Sequence, residues 1–124
     1  MSKGLGRIER AILDKIAWCR ASQTFRELER GGPVLVRTWH LMDCYRPLGW
    51  SADWSAEHKH RQAITRAMHA FVSKYPEYAL TGGKGRQELF LYEPGDPISV
   101  RYAEMTMQNG FVSLSEVFAD MRAT

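Results

Sequence analysis

The sequence SAEHKHRQAITRAMHAFVSKYPEYALTGGKGRQELFLY, residues 55–92, decides the fold. Its first half predicts a helix that begins at Ser55, a good N-cap residue, and runs to about Lys74, before Pro76. One face of this helix is apolar and recurs at steps of three and four: Ile64, Ala67, Met68, Phe71, Val72 and Tyr75. The opposite face is polar and contains no acid: Lys59, Gln62, Arg66, His69 and Ser73, flanked by His58 and Thr65.

The second half of the stretch has the period of strands. Residues 78–81 and 88–92 predict two strands, and the glycine-rich, basic segment 82–86 joins them. The sequence therefore predicts a β-hairpin with a flexible cationic tip that carries Lys84 and Arg86.

Upstream, the apolar stripe of Leu5, Ile8, Ile12, Ile16 and Cys19 predicts a helix over 5–20, with Trp18 at or near the core. A second helix is expected over 24–30, and a short strand over 33–37 after Gly31-Gly32. Thr38 is the expected cap of a helix over 39–45; a single helix over 34–45 is the alternative.

Downstream of Pro97, we expect a third strand over 98–102 and a C-terminal helix over 114–122. Ser113 and Glu116 form a capping box for that helix, whose apolar side carries Val117, Phe118 and Met121.

This order of elements over residues 5–93 resembles a winged helix-turn-helix DNA-binding domain. The resemblance rests on the opening GLGRIERAIL at 4–13, the helix segment RQAITRAM at 61–68 and the hairpin 78–92. It implies an α+β fold, a helical body with a small antiparallel hairpin as its wing, plus a C-terminal helix. The segment 46–54 departs from the usual plan, because it is longer than the three- or four-residue turn of the simple motif.

A helix that enters the major groove needs one face on the body and donors on the other. Lys59 and Arg66 suit guanine or phosphate, Gln62 suits adenine, and Thr65 suits a thymine methyl or a phosphate. Arg61 lies beside the apolar face, and we expect it to contact the DNA backbone. His69 is the last expected contact residue of the polar stripe. By resemblance, Lys84 and Arg86 would touch the minor groove or flanking phosphates. The alternative is that this polar stripe is only a solvated face.

Composition and charge agree with a soluble domain that binds a polyanion. The chain has 124 residues, 44% hydrophobic and 25% charged, and no apolar run approaches the length of a membrane span. Residues 1–86 carry a net charge of +7 and residues 87–124 one of −4. No secretory signal is visible and two cysteines make no disulfide framework, so we expect a cytoplasmic protein.

An enzymatic function and a metal site have weaker support in the sequence. His40 and Cys44 have helical ligand spacing, and His58 and His60 complete a loose zinc set, which we do not favour. The glycines at 82–85 lack the spacing and the Lys-Ser/Thr end of a phosphate loop, and no activated-thiol motif or carboxylate pair is visible. We therefore predict a non-enzyme with no catalytic residues, no bound metal and no cofactor.

Two further questions stay open. Trp39, Trp50 and Trp54 either form a stacking platform for single strands or pack the 46–54 loop, and we favour packing. Residues 1–97 are expected to form the winged domain, and 98–124 an extension that covers the core or makes a homodimer contact. The expected function is sequence-specific binding of double-stranded DNA, as in a bacterial or phage transcriptional regulator, with a winged-helix protein-interaction adaptor as the alternative.

Overall fold

The computed structural model describes residues 3–21, 32–44, 54–82 and 88–123. In these ranges the chain is a mixed α+β protein with five helices and three strands. In chain order they are α1 (Lys3–Arg20), β1 (Leu35–Arg37), α2 (Thr38–Cys44), α3 (Trp54–Lys74), β2 (Ala79–Gly82), β3 (Leu89–Tyr92), α4 (Pro97–Asn109) and α5 (Leu114–Arg122).

The three strands form one antiparallel sheet with the order β1-β3-β2. Val36 lies opposite Leu91, which lies opposite Leu80, so these residues share one face of the sheet. That face packs against α1 and α3, whereas Leu35 and Phe90 on the other face pack under Ala103 of α4. The sheet is therefore covered by helices on both faces.

The main core lies between α1, α2, α3 and the sheet. Ile12 of α1, Leu41 of α2 and Ile64 of α3 are fully buried in it beside Val36 of β1 and Leu91 of β3. Because each of these elements is short or has only one apolar face, each is stabilised by the others rather than by its own helix or strand propensity.

Most of the predicted elements are confirmed. The structure contains α1, a short β1, a separate α2, the long α3 and the hairpin β2–β3 close to their expected positions. Helix α3 begins at Trp54, so Ser55 lies inside its first turn and not at the N-cap. The helix predicted over 24–30 lies outside the described residues.

The strand predicted over 98–102 is wrong, because these residues belong to α4. The side chain of Asp96 caps this helix by accepting a hydrogen bond from the backbone N–H of Ile98, and Pro97 takes the first helical position. The Ser99 hydroxyl donates to Asp96 at 2.7 Å and accepts from the backbone N–H of Val34 at 2.9 Å. This network fixes the start of α4 against the strand β1.

Helix α5 begins as its capping box predicts, with the Ser113 hydroxyl accepting from the N–H of Glu116. Val117 is fully buried against Met105 and Val112, so it covers a small core between α4 and α5. Val117 is therefore not at the surface, where a dimer contact would need it, and the homodimer through this helix stays a prediction.

Trp18 is not at the core, contrary to the prediction. Its side chain is 69% exposed at the end of α1, and Trp39 at the start of α2 is 57% exposed. The expectation that Trp39 packs against the body is therefore wrong. No helix within the described ranges combines the length and the apolar character that crossing a membrane takes.

Candidate nucleic-acid interface

A groove of about 450 Å³ lies between helix α3 and the hairpin. From α3 it is lined by His58, Arg61, Gln62, Thr65 and Arg66, and from the hairpin by Gly82, Glu88 and Leu89. Gly82 is the last residue of β2 and lies opposite Leu89 in the sheet, on the face that packs toward α3. The groove therefore lies at the end of the sheet where β2 ends and β3 begins.

The predicted division of α3 into two faces is confirmed. Ile64, Met68 and Phe71 are buried, whereas Gln62 and Arg66 are exposed. Lys59 and His69 are exposed as well, and Arg61 and Thr65 are half-buried at the border between the faces. This arrangement follows from the 3.6-residue period, which places residues three and four apart on one side.

Four of the predicted DNA-binding residues meet in the groove: Arg61, Gln62, Thr65 and Arg66. Lys59 and His69 belong to the same exposed stripe but do not line this groove in the described part of the chain. Lys84 and Arg86 lie outside the described residues. Their role, like that of the other six, stays a prediction.

Glu88 is the one acid among the described residues that line the groove, and it is paired with Arg37 of β1. The Arg37 guanidinium donates to Oε1 of Glu88 from Nε at 2.7 Å and from Nη2 at 2.6 Å. Both side chains are mostly buried, and the guanidinium also lies 5.5 Å from the ring centre of Phe90. The negative charge of Glu88 is thus offset by Arg37.

Thr38 ties the hairpin to the helical body. Its fully buried hydroxyl accepts a 2.9 Å hydrogen bond from the backbone N–H of Leu89, the first residue of β3. The same hydroxyl lies 3.5 Å from the sulfur of Met68 in α3. Thr38 was expected to cap α2, but α2 begins at Thr38 itself, and its hydroxyl instead links α3 to the hairpin beside the groove.

Sequence reasoning missed Arg37 and Thr38 as parts of this site. Each meets a partner 51 residues further along the chain, Glu88 for Arg37 and Leu89 for Thr38. They come together through the pairing of β1 with β3, which brings Arg37 opposite Phe90 and which no local sequence pattern specifies.

The histidines of the zinc alternative do not gather in one place. His58 lines the groove, whereas His40 lines a different cavity beside α1 and α4. His60 is buried, with Nε2 3.4 Å from the carbonyl oxygen of Met42. Among the side chains that the structure describes, which do not include that of Cys44, no three His, Cys, Asp or Glu are grouped to hold a metal ion.

No family model matches the chain, and neither the curated proteins nor the solved structures contain a significant match to it. The functional argument therefore rests on the residues and their geometry.

Proposed function

We propose that this protein binds double-stranded DNA sequence-specifically through a winged helix-turn-helix fold and acts as a transcriptional regulator. The observation that carries the proposal is the groove between α3 and the hairpin. It brings together Arg61, Gln62, Thr65 and Arg66, and its one described acid is neutralised by Arg37. A groove lined by arginine, glutamine and threonine side chains can attract phosphates, and the exposed Gln62 and Arg66 are suited to base edges.

The order of elements supports the winged-helix part of the proposal. A helix, a short strand, two further helices and a hairpin follow each other, and the short strand pairs with the second strand of the hairpin. In a domain of this type the helix before the hairpin reads the major groove. Helix α3 has 21 residues, about 31 Å at the usual rise per residue, enough to present its exposed stripe along a major groove.

Each groove residue has a suitable role. Gln62 and Arg66 are exposed and four residues apart, so both can reach base edges from one side of the helix, adenine for Gln62 and guanine for Arg66. Thr65 and Arg61 are half-buried nearer the body and suit phosphate contacts. Lys84 and Arg86 of the tip are proposed to bind flanking phosphates or the minor groove, and two copies of the chain to read two half-sites.

The test is selection of bound fragments from random duplex DNA, followed by affinity measurements at several salt concentrations. Arg66→Ala and Gln62→Ala should each lower the affinity for the selected site by about 1–3 kcal/mol and relax preference at different base positions. Arg122→Ala is the matched control for charge, because Arg122 is an exposed arginine of α5 that does not line the groove. It should leave the sequence preference unchanged.

The protein-adaptor alternative gives a different result in the same experiment. An adaptor would show weak retention on duplex DNA without a steep salt dependence, and no enriched sequence. If Arg66→Ala and Arg122→Ala bind the selected duplex equally, the groove is not the reading surface and the proposal is wrong.

A further inference from the structure

A second cavity, also of about 450 Å³, lies on the other side of the strand β1 from the main core. Its walls come from the end of α1, from β1, from α4 and from the connection between α4 and α5. Leu35, Tyr102 and Val112 are among its apolar lining residues. This volume lies within the range of about 300–1,000 Å³ that is usual for small-molecule sites.

Two aromatic side chains border this cavity and are left largely in water. Trp18 is 69% exposed and Phe111 is 85% exposed, and both line the cavity. Phe111 follows Gly110, which ends α4 with a φ of 79°, a conformation that glycine adopts without strain. The backbone is thus turned so that a large ring lies at the cavity and not in the core, which leaves apolar area for a ligand to cover.

The charged residues of the cavity indicate the charge of its ligand. Lys15 lines it with its Nζ 5.5 Å from the centre of the Trp18 ring, and no Asp or Glu is found among the described lining residues. Cys19 and Tyr102 stay neutral near pH 7, because burial raises the pKa of each. Among the described lining residues, the cavity therefore combines aromatic surface with one lysine, one histidine (His40) and no carboxylate.

We propose that this cavity binds a small aromatic organic anion, with its ring system against Trp18 and Phe111 and its acidic group near Lys15. The proposal is independent of DNA binding, since none of these residues lines the groove beside α3. Ring contact supplies most of the affinity, and the ammonium group of Lys15 supplies the preference for an anion over a neutral analogue.

The experiment uses the full chain and two fluorescent probes with the same ring system. 8-Anilinonaphthalene-1-sulfonate carries an anionic group, and N-phenyl-1-naphthylamine lacks it. We expect saturable binding of the anionic probe at a single site, and binding of the neutral probe that is weaker by about threefold. Equal affinity for the two probes would overturn the assignment of an anion.

Two tryptophans provide a matched pair of variants. Trp18→Ala should weaken binding of both probes by at least about fivefold, because the ring contact is lost. Trp39→Ala removes a second exposed ring that does not itself line the cavity, although it contacts the ring of His40, and should change both affinities much less than Trp18→Ala does. Equal probe binding by Trp18→Ala and Trp39→Ala, with unchanged melting temperatures, would show that the probe binds elsewhere and would overturn the proposal.

Substitutions of charge test the role of Lys15. Lys15→Gln should lower affinity for the anionic probe alone, by about threefold, and Lys15→Arg should retain it. Ser115, an exposed lining residue in the first turn of α5, tests the opposite change, because Ser115→Glu should repel the anionic probe and Ser115→Gln should not.

The competing occupant of the cavity is a second copy of the chain. Light scattering on the parent and on Trp18→Ala tests it directly. A parent dimer that Trp18→Ala dissociates, together with no probe binding by the parent, would assign the surface to self-association and overturn the small-molecule proposal. A probe affinity that does not change with protein concentration supports it.

Discussion

The two cavities of this protein have the same volume, about 450 Å³, and are lined by different residues. The groove beside α3 is lined by arginine, glutamine and threonine side chains, and its acid is paired with Arg37. The cavity beside α1 is lined by aromatic and aliphatic side chains together with His40, Cys19 and two serines, and Lys15 is its one described lysine or arginine. Size therefore does not distinguish their ligands, whereas the chemistry of the lining does.

The two regions also differ in what holds them in shape. The groove depends on two hydrogen bonds beside the start of β3: Leu89 N–H donates to Thr38 of α2, and Arg37 of β1 donates to Glu88. The cavity depends on the packing of α4 and α5 and on an ion pair between them, in which Arg101 donates to Asp120 at 2.6 and 3.1 Å. It follows that each region can be disturbed without the other.

The largest effect is expected for Thr38→Val, which keeps the shape of the side chain and removes the hydroxyl. The partly buried backbone N–H of Leu89 loses its acceptor, so the free energy of unfolding should fall by about 1–3 kcal/mol in urea denaturation. Duplex affinity should fall too, because the hairpin is no longer fixed to the body, while binding of the anionic probe should not change.

Thr38→Ser is the control, since it retains the hydroxyl and should keep most of the duplex affinity. If Thr38→Val weakens the probe and the duplex equally, the two regions are not independent and the comparison fails.

A smaller effect, about 1 kcal/mol in duplex affinity, is expected when the ion pair of the groove is broken. Arg37→Gln leaves the carboxylate of Glu88 without its cation in the groove and should weaken binding. Glu88→Gln leaves the positive charge of Arg37 and should strengthen binding. Duplex affinity is measured by titration at a fixed salt concentration. Affinity changes of opposite sign for the two variants would support an anion-binding groove, whereas changes of the same sign would indicate that the pair acts only through stability.

The smallest effect is expected for the pH dependence of stability, through the Arg101–Asp120 ion pair that supports the cavity beside α1. The hydrogen bonds from Arg101 lower the pKa of Asp120 below its ordinary value of 3.8. A carboxylate with a lowered pKa in the folded state stabilises the protein above its unfolded pKa, and this contribution is lost as the pH falls through the folded pKa. Below about pH 4, the difference in stability between the parent and Asp120→Asn should therefore shrink. A difference that stays constant from neutral pH to about pH 2 would contradict this role for the pair.

The helices of the main core could be predicted from the sequence because their information is local. In α3 the apolar residues recur at the helical period, and the exposed stripe of Gln62 and Arg66 follows directly from it. Ile98, Val100 and Tyr102 alternate with other residues at the period of a strand, so the local pattern predicted a strand where the structure has α4. The competing signal was present in Asp96 and Pro97, a cap followed by the proline that favours a first helical turn.

The rest of the site depends on contacts between distant residues, which local patterns do not encode. Arg37 and Glu88 come together only because β1 pairs with β3, and nothing in either segment alone specifies that register. Trp18 shows the same limit, since its position in a helix with an apolar stripe suggested the core. Its exposure becomes visible only when α1 is packed against α3 and the sheet.

Strand β1 has only three residues, and each serves a different neighbour. Leu35 borders the aromatic cavity, Val36 fills the main core, and Arg37 holds the acid of the groove. A shift of its register by one residue, as an insertion or deletion would cause, would turn its side chains to the opposite faces of the sheet. Surface loops elsewhere can gain or lose residues cheaply. In a library of insertions and deletions, β1 should therefore be the segment where variants are depleted most strongly.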